Sequence, residues 1–72
     1  MKDFPIGNKL KLARVENDMT QQGLADAVGV TRQTIGLIEA GEYNPTIKLC
    51  LLLAKATNKS LDELFWIEGD IT

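Results

Sequence analysis

Two short helical patterns meet at Val28-Gly29-Val30, and that junction limits the folds open to this chain more than any other feature. Before it, Leu24, Ala25 and Val28 mark one face of a helix that starts after Thr20, a good N-cap type. After it, Ile35 and Ile38 mark the inward face of a second helix, which starts near Thr31, another N-cap type, and ends before Gly41. Gly29 suits the left-handed conformation that closes a helix without a Cβ clash. Ala25 is small at the point where two steeply crossing helices can approach only through short side chains. Residues 20–40 therefore predict two helices braced across a tight turn.

The rest of the chain predicts more helices, five in all, and an all-α fold. Helix 1 is expected from Asn8 to Asn17, with Leu12, Val15 and Met19 as its apolar stripe and Leu10 and Ala13 flanking it. Helix 4, from Thr46 to Thr57, is apolar almost all round and is expected at the centre of the core. Ser60 and Glu63 have capping-box spacing, which opens a last short helix through Phe65. Trp66 to Thr72 reads as an extended tail, with Phe4-Pro5-Ile6 as a weakly indicated pairing partner. No alternating run is long enough for a sheet core.

Seventy-two residues allow one domain, spanning 1–72, which buries only about 60% of its unfolded surface. The one cysteine, Cys50, excludes an internal disulfide, and the lack of histidine argues against zinc. No metal and no cofactor are expected, which leaves dimerisation as the expected stabiliser. The longest apolar run, Leu49 to Ala54, is far too short to span a bilayer, so no membrane partner and a cytoplasmic location are expected.

The second helix of the central pair opens with Thr31, Arg32, Gln33 and Thr34. Arginine pairs bidentately with guanine O6/N7 and glutamine with adenine N6/N7. A helix N-terminus armed this way, and set against a supporting helix, suits a DNA major groove. The net charge of −2 argues weakly against that reading, but residues 60–72 hold Asp62, Glu63, Glu68 and Asp70 and no cation. The remaining residues carry eight positive and six negative charges. Enzyme chemistry has no footing: there is no histidine, no metal constellation and no phosphate loop. Asp62 and Glu63 are explained by helix capping, and Cys50 by core packing. A protein–protein module that holds an unknown protein partner is the alternative.

The combination Thr20-Gln21, Leu24-Ala25, Val28-Gly29-Val30, Thr31 to Ile35, Ile38-Glu39, Gly41, Tyr43-Asn44-Pro45 and Ser60-Leu61 resembles the phage-repressor-like (Xre-type) helix-turn-helix family. The resemblance spans roughly residues 8–66. It implies a compact five-helix, lambda-repressor-like domain, similar to short members that act as homodimeric repressors on double-stranded DNA. It further implies base reading by Arg32, Gln33 and Thr34, and phosphate contacts from Gln21, Thr31, Tyr43, Asn44 and Lys48, with Gln21 also bracing the recognition helix. Arg14 and Glu39 are implied to form a buried ion pair. Leu37 is placed either against a thymine methyl or as an exposed leucine without a role. Three positions depart from the pattern: Gly36 offers no side chain, Glu42 stands where a basic residue is common, and Ala40 is short.

The segment 60–72 is the expected dimerisation region. Leu61, Leu64, Phe65, Trp66 and Ile67 form more apolar surface than one small helix can bury against a core already filled by helix 4.

Overall fold

The computed structural model describes residues 4–69. The expected tail and dimerisation segment lie partly beyond them, at residues 70–72. Five helices and two short strands follow in the order β1 (Ile6–Asn8), α1 (Leu10–Glu16), α2 (Gln21–Val28), α3 (Arg32–Glu39), α4 (Ile47–Ala56), α5 (Leu61–Leu64) and β2 (Phe65–Ile67). The central pair forms as its sequence predicts. Thr20 and Thr31 each turn the side-chain oxygen back onto the helix they open, accepting from Gly23 N at 2.9 Å and from Thr34 N at 3.2 Å. Gly29 closes α2 at φ 80°, its N–H bonded to Ala25 O at 2.8 Å. Thr46 caps α4 in the same manner, through Leu49 N at 3.2 Å.

The all-α expectation is corrected by a two-stranded antiparallel sheet, with Ile6 opposite Ile67, Gly7 opposite Trp66 and Asn8 opposite Phe65. The tail does pair with the N-terminal segment, but two residues later than Phe4-Pro5-Ile6 suggests, and Asn8 and Phe65 belong to strands rather than helices. Pairing extends past both strands through Lys9 N to Leu64 O and Glu68 N to Pro5 O, each 2.9 Å. Three-residue strands carry too little alternation to be read from sequence.

α1 presents a different face from the one expected. Leu10 and Ala13 are buried, whereas Leu12 and Val15 are each more than half exposed. The inward face is Leu10, Ala13, Arg14 and Asn17, two of whose members are polar. Asn17 donates to Ala13 O at 2.7 Å and to Thr57 O at 2.8 Å, so it fastens the ends of α1 and α4 together. Hydrogen bonding, not apolarity, sets the rotation of this helix.

α4 is also less enclosed than its composition suggests. Leu49, Cys50, Leu53 and Ala54 are buried against the other helices, but Ile47 is 66% exposed, and Leu51 and Leu52 are open as well. A chain of this size has too few elements to surround a helix. The core consists of Leu10, Leu24, Ile35, Ile38, Leu53 and Leu64, all fully buried, with Ala13, Ala25 and Val28 filling between them. Leu64 is therefore core, not dimer surface. Cys50 is buried among apolar neighbours, and desolvation there raises the pKa of its thiol.

Candidate nucleic-acid interface

α3 is held by Ile35 and Ile38 at complete burial, which turns the opposite side of its first turn to solvent. Arg32 and Gln33 are exposed there, while Thr34 and Leu37 are half-buried on the flanks. Thr31 and Thr34 face each other across the cap, their hydroxyls 2.9 Å apart. The N-terminal end of α3 is thus fixed by its cap from within and by its two isoleucines from below.

A polar chain anchors the same end from the side. Arg14 Nε donates to Glu39 Oε2 at 2.7 Å, and the two side chains are only 11% and 6% exposed. Arg14 also donates through Nη2 to Glu39 Oε1 at 3.4 Å and through Nη1 to Met19 O at 2.8 Å. Each half of the guanidinium has an acceptor, as burial of a charge requires. Gln21, the first residue of α2, donates to Glu39 Oε1 at 3.1 Å. Its own Oε1 accepts from Arg32 Nη1 at 3.2 Å. The structure therefore links Gln21 directly to Arg32, and both to the ion pair.

The segment leaving α3 turns at Gly41, φ 76°, a backbone conformation that L side chains rarely adopt. Tyr43 and Asn44 stand exposed on it, and Lys48 is exposed in the first turn of α4. Thr46 takes up one N–H of that turn; helix geometry leaves others without an internal partner, as an anion requires. Gly36 sits in mid-α3, and a Cβ there would lie 3.8 Å from Gln21 Nε2, an ordinary contact. Sequence reasoning missed Asn8, whose Nδ2 donates to Ile38 O at 2.9 Å and ties β1 to the far end of α3. The signal was an asparagine at a helix start, read there as part of the helix.

The interface is only mildly basic. Arg32 and Lys48 supply its charge and Glu42 opposes them. Other cations are engaged away from it: Lys59 pairs with Glu16 at 3.1 Å, and Lys9 lies 6.0 Å from the centre of the Trp66 ring. At the C-terminal end, Trp66 is 37% exposed and Ile67 is half exposed, while Leu61 and Phe65 are half-buried.

Comparison with known proteins places this geometry in a wider set. The helix-turn-helix family matches residues 10–64. The chain is 41% identical over 63 residues to the HTH-type transcriptional regulator YgzD of Bacillus subtilis, covering 88% of this chain and 96% of the relative. It is 43% identical, with the same coverage, to an HTH-type transcriptional regulator of Methanocaldococcus jannaschii. Among solved structures, the restriction-modification controller protein C.AhdI of Aeromonas hydrophila superposes with a TM-score of 0.70 at 30% identity, over 75% of this chain and 82% of the other.

Proposed function

This chain belongs to the helix-turn-helix family of DNA-binding transcriptional regulators, and from that membership we propose that it represses transcription by occupying a palindromic operator as a homodimer. The observation that carries the reading is the opening of α3: Arg32 and Gln33 project from a helix whose other side is fully buried. Thr34 and Leu37 flank them as further base contacts, and Gln21, Thr31, Tyr43, Asn44 and Lys48 serve the phosphates. The Arg14–Glu39 pair holds the support.

Homodimer formation is supported by apolar surface that one copy leaves open. Trp66 and Ile67 on β2, and separately Ile47, Leu51 and Leu52 on α4, are exposed in the single chain. Leu61 and Phe65 contribute their half-buried edges. A two-fold dimer presents two recognition helices to successive major grooves, with half-sites about 34 Å apart in an inverted repeat.

Selection of bound sites from a random duplex pool, followed by titration of the best site at two salt concentrations, tests the proposal. The expected result is an inverted repeat whose binding weakens steeply with salt, by about 0.9 log units per log unit of salt for each phosphate neutralised. Arg32→Ala and Gln33→Ala should each cost about 1–3 kcal/mol on that site and relax one or two base pairs. Glu42 beside only two cations favours a second reading, a module that holds a protein partner. Failure to enrich any sequence, with salt-independent binding, would overturn the first reading.

A further inference from the structure

Glu39 does more than balance Arg14. We infer that it is a positioning residue for Arg32, acting through the amide of Gln21; the inference rests on the base-reading role proposed above for Arg32. A carboxylate only accepts hydrogen bonds, so the Gln21 group facing Glu39 Oε1 at 3.1 Å is its NH2. The amide oxygen is thereby turned to the other side, where Arg32 Nη1 donates to it at 3.2 Å. A flipped amide would set oxygen against carboxylate and NH2 against guanidinium, two repulsive contacts in place of two bonds. Each neighbour thus demands the same orientation. Glu39 is fixed in turn by Arg14 through Nε and Nη2, at 2.7 and 3.4 Å.

The chain Arg14, Glu39, Gln21, Arg32 runs from α1 through α3 and α2 back to the first turn of α3. It carries a buried charge outward and delivers it as a single acceptor at the base-reading guanidinium. Gln21 keeps one N–H beyond the bond to Glu39, so a phosphate contact can coexist with the relay. Specificity at the base pair read by Arg32 then depends on Glu39, which no base approaches.

Two variants separate this relay from simple support. Gln21→Met keeps the length of the side chain and leaves the Arg14–Glu39 pair in place. Glu39→Gln keeps the shape and removes the charge that orients the amide. Both are scored on the folded protein, verified by circular dichroism at the assay temperature. The first readout needs no DNA: rotation of the Arg32 guanidinium, followed by nitrogen-15 NMR, should accelerate in both variants. The exchanged double variant Gln21→Glu with Glu39→Gln should slow it again, because the new carboxylate at position 21 accepts both from the amide introduced at position 39 and from Arg32 Nη1.

The second readout is discrimination at the base pair where Arg32→Ala relaxes preference. Both single variants should lose about tenfold there, and retain discrimination elsewhere. A uniform loss on all sequences, with guanidinium rotation unchanged, overturns the inference and leaves Gln21 as a phosphate contact and Glu39 as a brace. If rotation responds as expected but Arg32→Ala alters no base preference, the relay stands and the base-reading assignment is what fails.

Discussion

The indole of Trp66 lies across Gly7 on the opposite strand, in the space a Cβ would need. A Cβ at Gly7 would fall within the indole and against the Glu68 carboxylate, to which Trp66 Nε1 donates at 3.0 Å. Glycine at this position is a matter of room rather than of backbone angle. Gly7→Ala should therefore displace the indole, at a cost of about 1–3 kcal/mol. Tryptophan fluorescence reads the outcome directly, since Trp66 is the chain's one tryptophan. A red-shifted emission with a lower melting temperature is expected; unchanged emission would mean that the ring does not rest on Gly7.

The Arg14–Glu39 pair should prove a requirement of the fold. Replacing Arg14 with alanine strands a carboxylate that is 6% exposed and also deprives Met19 O of its donor. The expected loss is about 3–5 kcal/mol, a large share of the stability of so small a domain. Denaturant titration measures it. A variant that melts like the parent but no longer binds DNA would move Arg14 to the interface.

Gly36 offers the opposite opportunity. It lies inside α3 without a positive φ, and the nearest atom to a new Cβ, Gln21 Nε2, stands at 3.8 Å. Gly36→Ala should stabilise the protein by up to about 1 kcal/mol through helix propensity. Thermal melting should rise by several degrees. A decrease would indicate crowding against the Gln21 amide.

The start of α5 should respond to acid. Asp62 is lowered in pKa by the Ser60 side chain, and Glu63 by the Ser60 backbone N–H, which it accepts at 2.8 Å, and by the Ser60 hydroxyl at 3.0 Å. A carboxyl whose folded pKa is depressed adds stability above its unfolded pKa, about 4, and loses it as pH falls through the folded value. The capping box should open below about pH 4. Trp66 emission, two residues past α5, should shift before the far-ultraviolet helix signal collapses. Simultaneous change of both would show that α5 has no separate acid transition.

Lys48 provides a test of the flank. Lys48→Ala should weaken binding to all sequences alike and lower the salt slope by about one unit. An unchanged slope removes Lys48 from the phosphate contacts.

Legibility in the sequence followed the kind of force that shapes each element. α2 and α3 could be read almost residue by residue, because threonine caps, Gly29 and the burial of Leu24, Ile35 and Ile38 all act locally and agree. Apolarity alone misorients α1, since two of its inward positions are Arg14 and Asn17. Leucine content suggests too central a place for α4, because it does not tell how many neighbours a helix has. The sheet escaped because its strands are short and far apart in sequence. Within the interface, the residue types at positions 31–34 could be read, and so could the ion pair once the family resemblance supplied it. The bond from Glu39 to Gln21 could not, because it depends on which way an amide faces in three dimensions.

The pairing of β1 with β2 also orders events in time. The α2–α3 pair is built from contacts between near neighbours in the chain, which close quickly and at small entropic cost. Asn8, by contrast, meets Phe65 across nearly the whole described sequence. During folding, α3 can therefore dock on α2 before β1 and β2 meet. The strand that holds Asn8 against the end of α3 closes through partners far apart in sequence and so forms later. Local contacts thus shape the α2–α3 pair first, and the clasp behind it closes afterwards.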